Sequence, residues 1–222
     1  MKLLQTTAVA GLLLASGAAS ALELSGNVAL TTDYVWRGMS QTDGAPAIQG
    51  GFDADLGNGL YAGVWASNVD FGSDSSVEVD VYAGWAGQVA GFDLDVGVLH
   101  YAYPTGENGL DFTEVYIGTT IELPVLGAVA IQHSIGVDTG DDTTGDVVYG
   151  DYTSAGFDLG EHYGLALSAS AGFYNVDGGE DVTDWKVSAS KSMFGVDLDV
   201  SYTDTDGAGS EDMVVLTVSK SL

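Results

Sequence analysis

A period of two constrains this chain more than any other feature. In residues 24–37, LSGNVALTTDYVWR, one side carries Leu24, Gly26, Val28, Leu30, Thr32, Tyr34 and Trp36. The other carries Ser25, Asn27, Ala29, Thr31, Asp33, Val35 and Arg37. Alternation of this kind describes a strand whose two faces meet different surroundings. It recurs twelve times: 24–36, 46–56, 60–69, 77–86, 92–103, 112–123, 125–137, 147–157, 163–174, 182–190, 194–203, and a last segment aligning Val214, Leu216, Val218 and Leu222. The eighth segment alternates least clearly.

The connections sort into two kinds. Short ones fall at 57–59, 87–91, around Pro124, at 158–162 and at 192–193. Longer, more acidic ones fall at 38–45, 70–76, 104–111, 138–146, 176–181 and 204–211. Short turns at one end and long loops at the other match a transmembrane antiparallel up-and-down β-barrel, with periplasmic turns, extracellular loops and both termini periplasmic. Each strand plus connection takes roughly 17 residues, close to a membrane-spanning strand with a modest turn. Twelve tilted strands make a backbone cylinder roughly 24 Å across, between barrels filled by side chains and barrels with water channels.

Residues 1–21 read as a secretory signal peptide: Lys2, an apolar run from Ala8 to Leu14, and the small-residue site Ala19-Ser20-Ala21. The remaining 22–222 read as a single outer-membrane barrel domain. No later run is long and apolar enough for a transmembrane helix. The 32 Gly and 3 Pro disfavour long helices and favour strands with many turns. There is no Cys, hence no disulfide framework.

All 32 acidic residues follow position 21, where the cations are Arg37, Lys186, Lys191 and Lys220. Such a charge repels phosphate and excludes nucleic acid as a partner. It reads either as a field attracting cations or as a surface suited to high salt.

Periodicity alone does not say which face meets lipid. Three features favour an outward apolar face. The polar side is rich in Gly, Ala and Ser, which suit a crowded lumen. Aromatics end the apolar sides, with Tyr34 and Trp36 toward the loops and Trp85 toward the turns, as in an interfacial girdle. The terminal strand resembles the segment read by barrel-assembly machinery, although Leu222 replaces the usual final aromatic and Lys220 interrupts the apolar side. A soluble periplasmic β-sandwich binding protein is the competing fold.

The candidate pore-lining residues are Asp33, Arg37, Asp53, Asp80, Glu114 and Lys186. Arg37, the only arginine, either tunes selectivity opposite these acids or forms a structural ion pair tying the first loop to the wall. Lys186 has the same two readings. The acidic loops (Asp138, Asp141, Asp142, Asp146; Asp204, Asp206, Glu211, Asp212) lack calcium-loop spacing and invite at most loosely held divalent cations. No metal site and no cofactor is expected. An enzyme is not expected either: His133 and Ser134 are adjacent, and adjacent strand residues point to opposite faces.

Three stretches, TTDYVWRGMSQTDGAPAIQGGFD (31–53), YAGVWASNVDFG (61–72) and EVDVYAGW (78–85), resemble the TorF-type porin family of conserved bacterial proteins. The resemblance is strongest over residues 25–120. It implies a Gram-negative outer-membrane β-barrel in contact with lipid and lipopolysaccharide, and brings neither a substrate nor catalytic residues. The expected function is therefore a porin-like passive channel for small solutes or ions, favouring cations. The alternative within the same fold is a non-conducting structural or adhesive barrel.

Overall fold

The computed structural model describes residues 22–72, 75–104, 110–123, 127–137, 150–176, 179–207 and 212–222. Residues 1–21, expected as a signal peptide, lie outside the described residues, as do Asp138, Asp141, Asp142, Asp146 and Glu211.

The chain runs through β1 (Glu23–Thr31), β2 (Val35–Trp36), β3 (Met39–Ser40), β4 (Ala47–Gly57), β5 (Leu60–Asn68), β6 (Val77–Val89) and β7 (Phe92–Ala102). It continues through β8 (Phe112–Leu123), β9 (Gly127–Val137), β10 (Gly150–His162), β11 (Leu165–Val176), β12 (Val182–Met193), β13 (Val196–Thr205) and β14 (Met213–Ser221). All except β2 and β3 form one closed antiparallel barrel of twelve strands in chain order. Closure comes from β1, which pairs with β4 and, through Asn27↔Ser221 to Thr31↔Thr217, with β14. A closed sheet leaves no edge and pairs every strand on both sides. One closed sheet replaces the two packed sheets of the sandwich alternative.

The polarity is inverted relative to a soluble barrel. Ile48 (67%), Phe52 (65%), Phe92 (66%) and Val214 (63%) stand exposed on the outside. Glu78, Asp80, Asp95 and Glu114 are buried within. Lipid, not water, is the solvent such an outer face fits.

The two ends differ in construction. Four hairpins close with two residues in the left-handed region: Asn58-Gly59, Ala90-Gly91, Tyr163-Gly164 and Phe194-Gly195. This is the type I′ turn, whose twist matches that of the flanking strands. The connections at the opposite end are longer. Several boundaries move relative to the sequence reading. The eighth barrel strand spans Gly150–His162, and its register slips between Asp158 and Gly160. That bulge breaks the period of two at the end of the strand, beyond the 147–157 segment.

The largest change concerns the first segment. Its wall strand ends at Thr31, not at Trp36. The Thr31 hydroxyl donates to the Asp33 carbonyl (2.9 Å), and the chain turns away from the wall.

Candidate functional site

The connection 32–46 folds into the barrel. Its centre is the miniature hairpin β2–β3, with Trp36 paired to Met39 and Val35 to Ser40. The turn is Arg37-Gly38, with φ of 48° and 79°. Only glycine fits the second position. Besides the positive φ, a Cβ there would stand 2.7 Å from Thr205 Cβ and 2.9 Å from Asp184 Cβ.

Asp33 organises the base of the hairpin. Its Oδ1 accepts from the Ser40 hydroxyl (2.7 Å) and the Thr42 hydroxyl (2.8 Å). Gln41 N donates to the Tyr34 carbonyl (2.6 Å), and Asp70 N donates to the Gln41 carbonyl (2.8 Å), fixing the insert to the next connection. Tyr34 then reaches the wall. Its hydroxyl donates to Glu78 Oε1 (2.6 Å), while Tyr103 donates to the other oxygen of Glu78 (2.6 Å). Its ring packs edge-on against Trp65 at 5.3 Å.

At the tip, Trp36 meets Tyr101, Phe112 and Tyr174 at 6.1, 6.3 and 6.2 Å. The Arg37 guanidinium lies 4.2 Å from the Trp36 ring centroid, 4.2 Å from that of Tyr152 and 4.9 Å from that of Tyr174. Its Nη2 donates to both oxygens of Glu114, at 2.7 and 2.8 Å. Nη1 is buried with no acceptor among the described residues. The insert therefore touches β5, β6, β7 and β8 on one side and β10 to β13 on the other, a constriction laid across the mouth at the long-loop end.

Tyr34 and Trp36 thus do not belong to an outer girdle. Alternation continues past Thr31, but in a hairpin inside the barrel, so its aromatic side meets lumen aromatics. The residues 38–45, expected as an extracellular loop, include Gly38 against β12 and β13 and Thr42 with no exposure. Trp85 does face outward near the turn end, its Nε1 donating to the Asn58 carbonyl (3.0 Å).

The six pore-lining candidates all turn inward but do not form one group. Arg37 and Glu114 pair. Asp80 lies beside Glu78 on the inner face of β6 and senses Glu114 of β8, and its Oδ1 has no partner among the described residues. Asp33 serves the hairpin base. Asp53 accepts a hydrogen bond from Tyr82. Lys186 lies on β12 near Asp184 and Asp199.

The sequence reading did not single out the tyrosines that bind the lumen carboxylates. Tyr61 donates to Asp95 (2.6 Å) and meets the Tyr116 hydroxyl, and Tyr152 donates to Asp184 (2.8 Å). These rings lie over glycines of neighbouring strands: Tyr82 over Gly63, Tyr61 over Gly84, Tyr116 over Gly97 and Tyr152 over Gly172. The signal was available, since these tyrosines alternate in phase with Asp and Gly and out of phase with Val and Leu. His133 and Ser134 do point apart. Ser134 is buried inward, while His133 Nδ1 lies 2.8 Å from Thr153 Oγ1 on the outer face.

A family model described as a bacterial protein of unknown function (Gcw_chp) matches residues 15–220. No curated protein matches the chain. Among solved structures, one from a study of the in-meso crystallization of membrane proteins is 11% identical, with a TM-score of 0.53 over 89% of this chain and 83% of that chain. An outer membrane channel from Pseudomonas putida F1 is 14% identical, with a TM-score of 0.49 over 89% of this chain and 94% of that one. A porin refined at 1.8 Å is 14% identical, with a TM-score of 0.44 over 80% and 62%. At 11% identity the first of these shows a shared fold.

Proposed function

We propose a porin-like passive channel of the outer membrane as the function of this chain, which belongs to the Gcw_chp family of bacterial proteins of unknown function. One observation carries the proposal: a closed barrel with an apolar outside and a polar inside has its mouth narrowed by an inserted, tethered hairpin. Water and small solutes pass along a polar interior, and the insert sets what enters. The TorF-type kinship read from residues 31–85 belongs to the same proposal, as do insertion by the barrel-assembly machinery and contact with lipid and lipopolysaccharide. The short turns face the periplasm and the long connections face outward. Loosely held divalent cations sit at the acidic loops.

The lumen favours cations on this reading. Inward carboxylates (Asp53, Glu78, Asp80, Asp95, Glu114, Asp184 and Asp199) outnumber the inward cations Arg37 and Lys186.

A second reading, a non-conducting structural or adhesive barrel, draws on the same insert, which touches eight of the twelve barrel strands. Planar-bilayer recording separates the two. The channel reading expects discrete conductance steps and a cation-favouring reversal potential in a salt gradient. A folded barrel, verified by heat-modifiable migration on a denaturing gel, that shows no steps would overturn it. Anion preference would overturn the charge argument alone.

A further inference from the structure

The inner wall is divided into two unlike halves. From β5 to β8 the inward positions carry large side chains that touch one another, including Trp65, Tyr82, Leu99, Tyr101 and Tyr116. Of the carboxylates here and on the adjoining β4, only Asp80 keeps a buried oxygen without a partner among the described residues: Asp53 is engaged by Tyr82, Asp95 by Tyr61, Glu78 by Tyr34 and Tyr103, and Glu114 by Arg37. This half is filled.

From β11 to β14, below Tyr174 at the hairpin tip, many of the inward side chains are serines and threonines. Ser170, Ser188, Ser190 and Ser219 are half-buried, and none reaches across the lumen. Lys186 stands in this wall, opposite Ser170 of β11 and Thr203 of β13 in register. Asp184 and Asp199 are the charges it senses. Neither approaches within ion-pair distance, because Arg37–Glu114 is the one ion pair among the described residues. An ammonium without an ion-pair partner thus stands on a long flexible stem beside serine and threonine side chains.

We infer that the permeation path is eccentric, running along the β11–β14 wall below the hairpin, and that Lys186 is the residue that sets its ion preference. This rests on the channel reading. Except for Asp80, whose Oδ1 has no partner among the described residues, the carboxylates of the filled half are held by phenols and Arg37 and contribute a diffuse field. Lys186 and Asp199 line the path itself. Lys186 is then the brake on cation flux, despite the chain's strongly negative charge. The ligand class is a small hydrated ion or a small charged solute, selected by charge at the Lys186 level.

The strand supplies its own control. Lys191 lies on β12 in the outward phase, with Trp185 and Val187, and is exposed. K186Q and K191Q remove the same charge from opposite faces. In planar bilayers, K186Q is expected to raise the cation-to-anion permeability ratio about threefold or more, with K186E raising it further. K191Q is expected to leave the ratio at the wild-type value. Because the chain contains no cysteine, single cysteines report directly on water access. S188C in the folded barrel in vesicles is expected to react with a small charged methanethiosulfonate reagent and lower the conductance. S67C, in the filled half where Ser67 is 3% exposed, is expected to stay unreacted. A conducting K186Q channel with wild-type selectivity, or an unreactive S188C beside a reactive S67C, would overturn the inference. Absence of any conductance in the wild-type barrel would instead overturn the channel reading, and the ion preference with it.

Discussion

Arg37 and Glu114 are 77 residues apart in sequence, yet one guanidinium nitrogen of Arg37 donates to both carboxylate oxygens of Glu114. Their side chains are 7% and 5% exposed. Rings of Trp36, Tyr152 and Tyr174 close around the guanidinium. A buried pair adds little net stability over an apolar substitute, but losing one partner leaves an uncompensated charge. Its effect here is positional: it holds the tip of a hairpin, anchored at β1 and β4, against the far wall of the barrel.

Removing Arg37 therefore acts on the hairpin before it acts on the barrel. In R37M, Glu114 is buried without its partner, at a cost of about 3–5 kcal/mol. The chain relieves this by letting the hairpin leave the lumen and water reach Glu114. A change of that size shifts a closed-to-open equilibrium by a factor of about a hundred or more. Single-channel conductance is expected to rise while heat-modifiable migration is retained. The double variant R37M/E114L removes both charges and is expected to return toward the closed conductance. Wild-type conductance in R37M would show that the hairpin does not limit flow.

Gly38 offers a test that leaves the charges in place. In G38A the new methyl meets the Thr205 and Asp184 side chains, and the residue must keep a φ of 79°. Overpacking and left-handed strain each cost about 1–3 kcal/mol. The tip is expected to lift, raising conductance in the direction of R37M. Gly44 is the control: it also has a positive φ, of 71°, but nothing lies within 4 Å of its Cβ direction. G44A is expected to cost about 1–2 kcal/mol of stability through the left-handed strain alone, and to leave conductance unchanged.

The tyrosine-over-glycine pairs make a separate prediction about the wall. In G63A the added Cβ would overlap the Tyr82 phenol, which must swing away and release Asp53. The expected loss is about 1–3 kcal/mol in reversible urea unfolding. Gly156 has nothing within 4 Å of its Cβ direction, so G156A is expected to be neutral or slightly stabilising. Equal losses at both positions would count against ring packing as the reason for Gly63.

Much of this architecture was legible in the chain, for a physical reason. A barrel wall is made of local alternation, and strands such as β7 and β8 show it without interruption. Turn chemistry at Asn58-Gly59 and Gly91 is equally local. The hairpin was not legible, because Tyr34 and Trp36 continue the phase of Val28 and Leu30. Nothing in a period of two distinguishes a strand in the wall from one inside it. Trp36 packs against residues of β7, β8 and β11, which only closure brings together. Arg37 stood out as the only arginine, with its ion-pair reading open, but the sequence offered several acids and no means of choosing Glu114. Lys186 could be placed on the polar face, whereas the smallness of its surroundings depended on knowing which strands are neighbours.

Phe194 completes the set at the other end of the barrel. It occupies the first position of the β12–β13 turn with a φ of 55°, and it is 93% exposed. A bulky residue in the left-handed region costs about 1–2 kcal/mol, which asparagine largely avoids. The turn between β4 and β5 already uses Asn58-Gly59 in the same geometry, the preferred dipeptide for this turn. F194N is therefore expected to stabilise the barrel by about 0.5–1 kcal/mol in urea unfolding from detergent, with conductance unchanged. The converse variant N58A is expected to lose a similar amount. If F194N were instead destabilising, the exposed ring would be making a contact that offsets its strained backbone, and comparing detergent micelles with lipid vesicles would show whether that contact is with lipid.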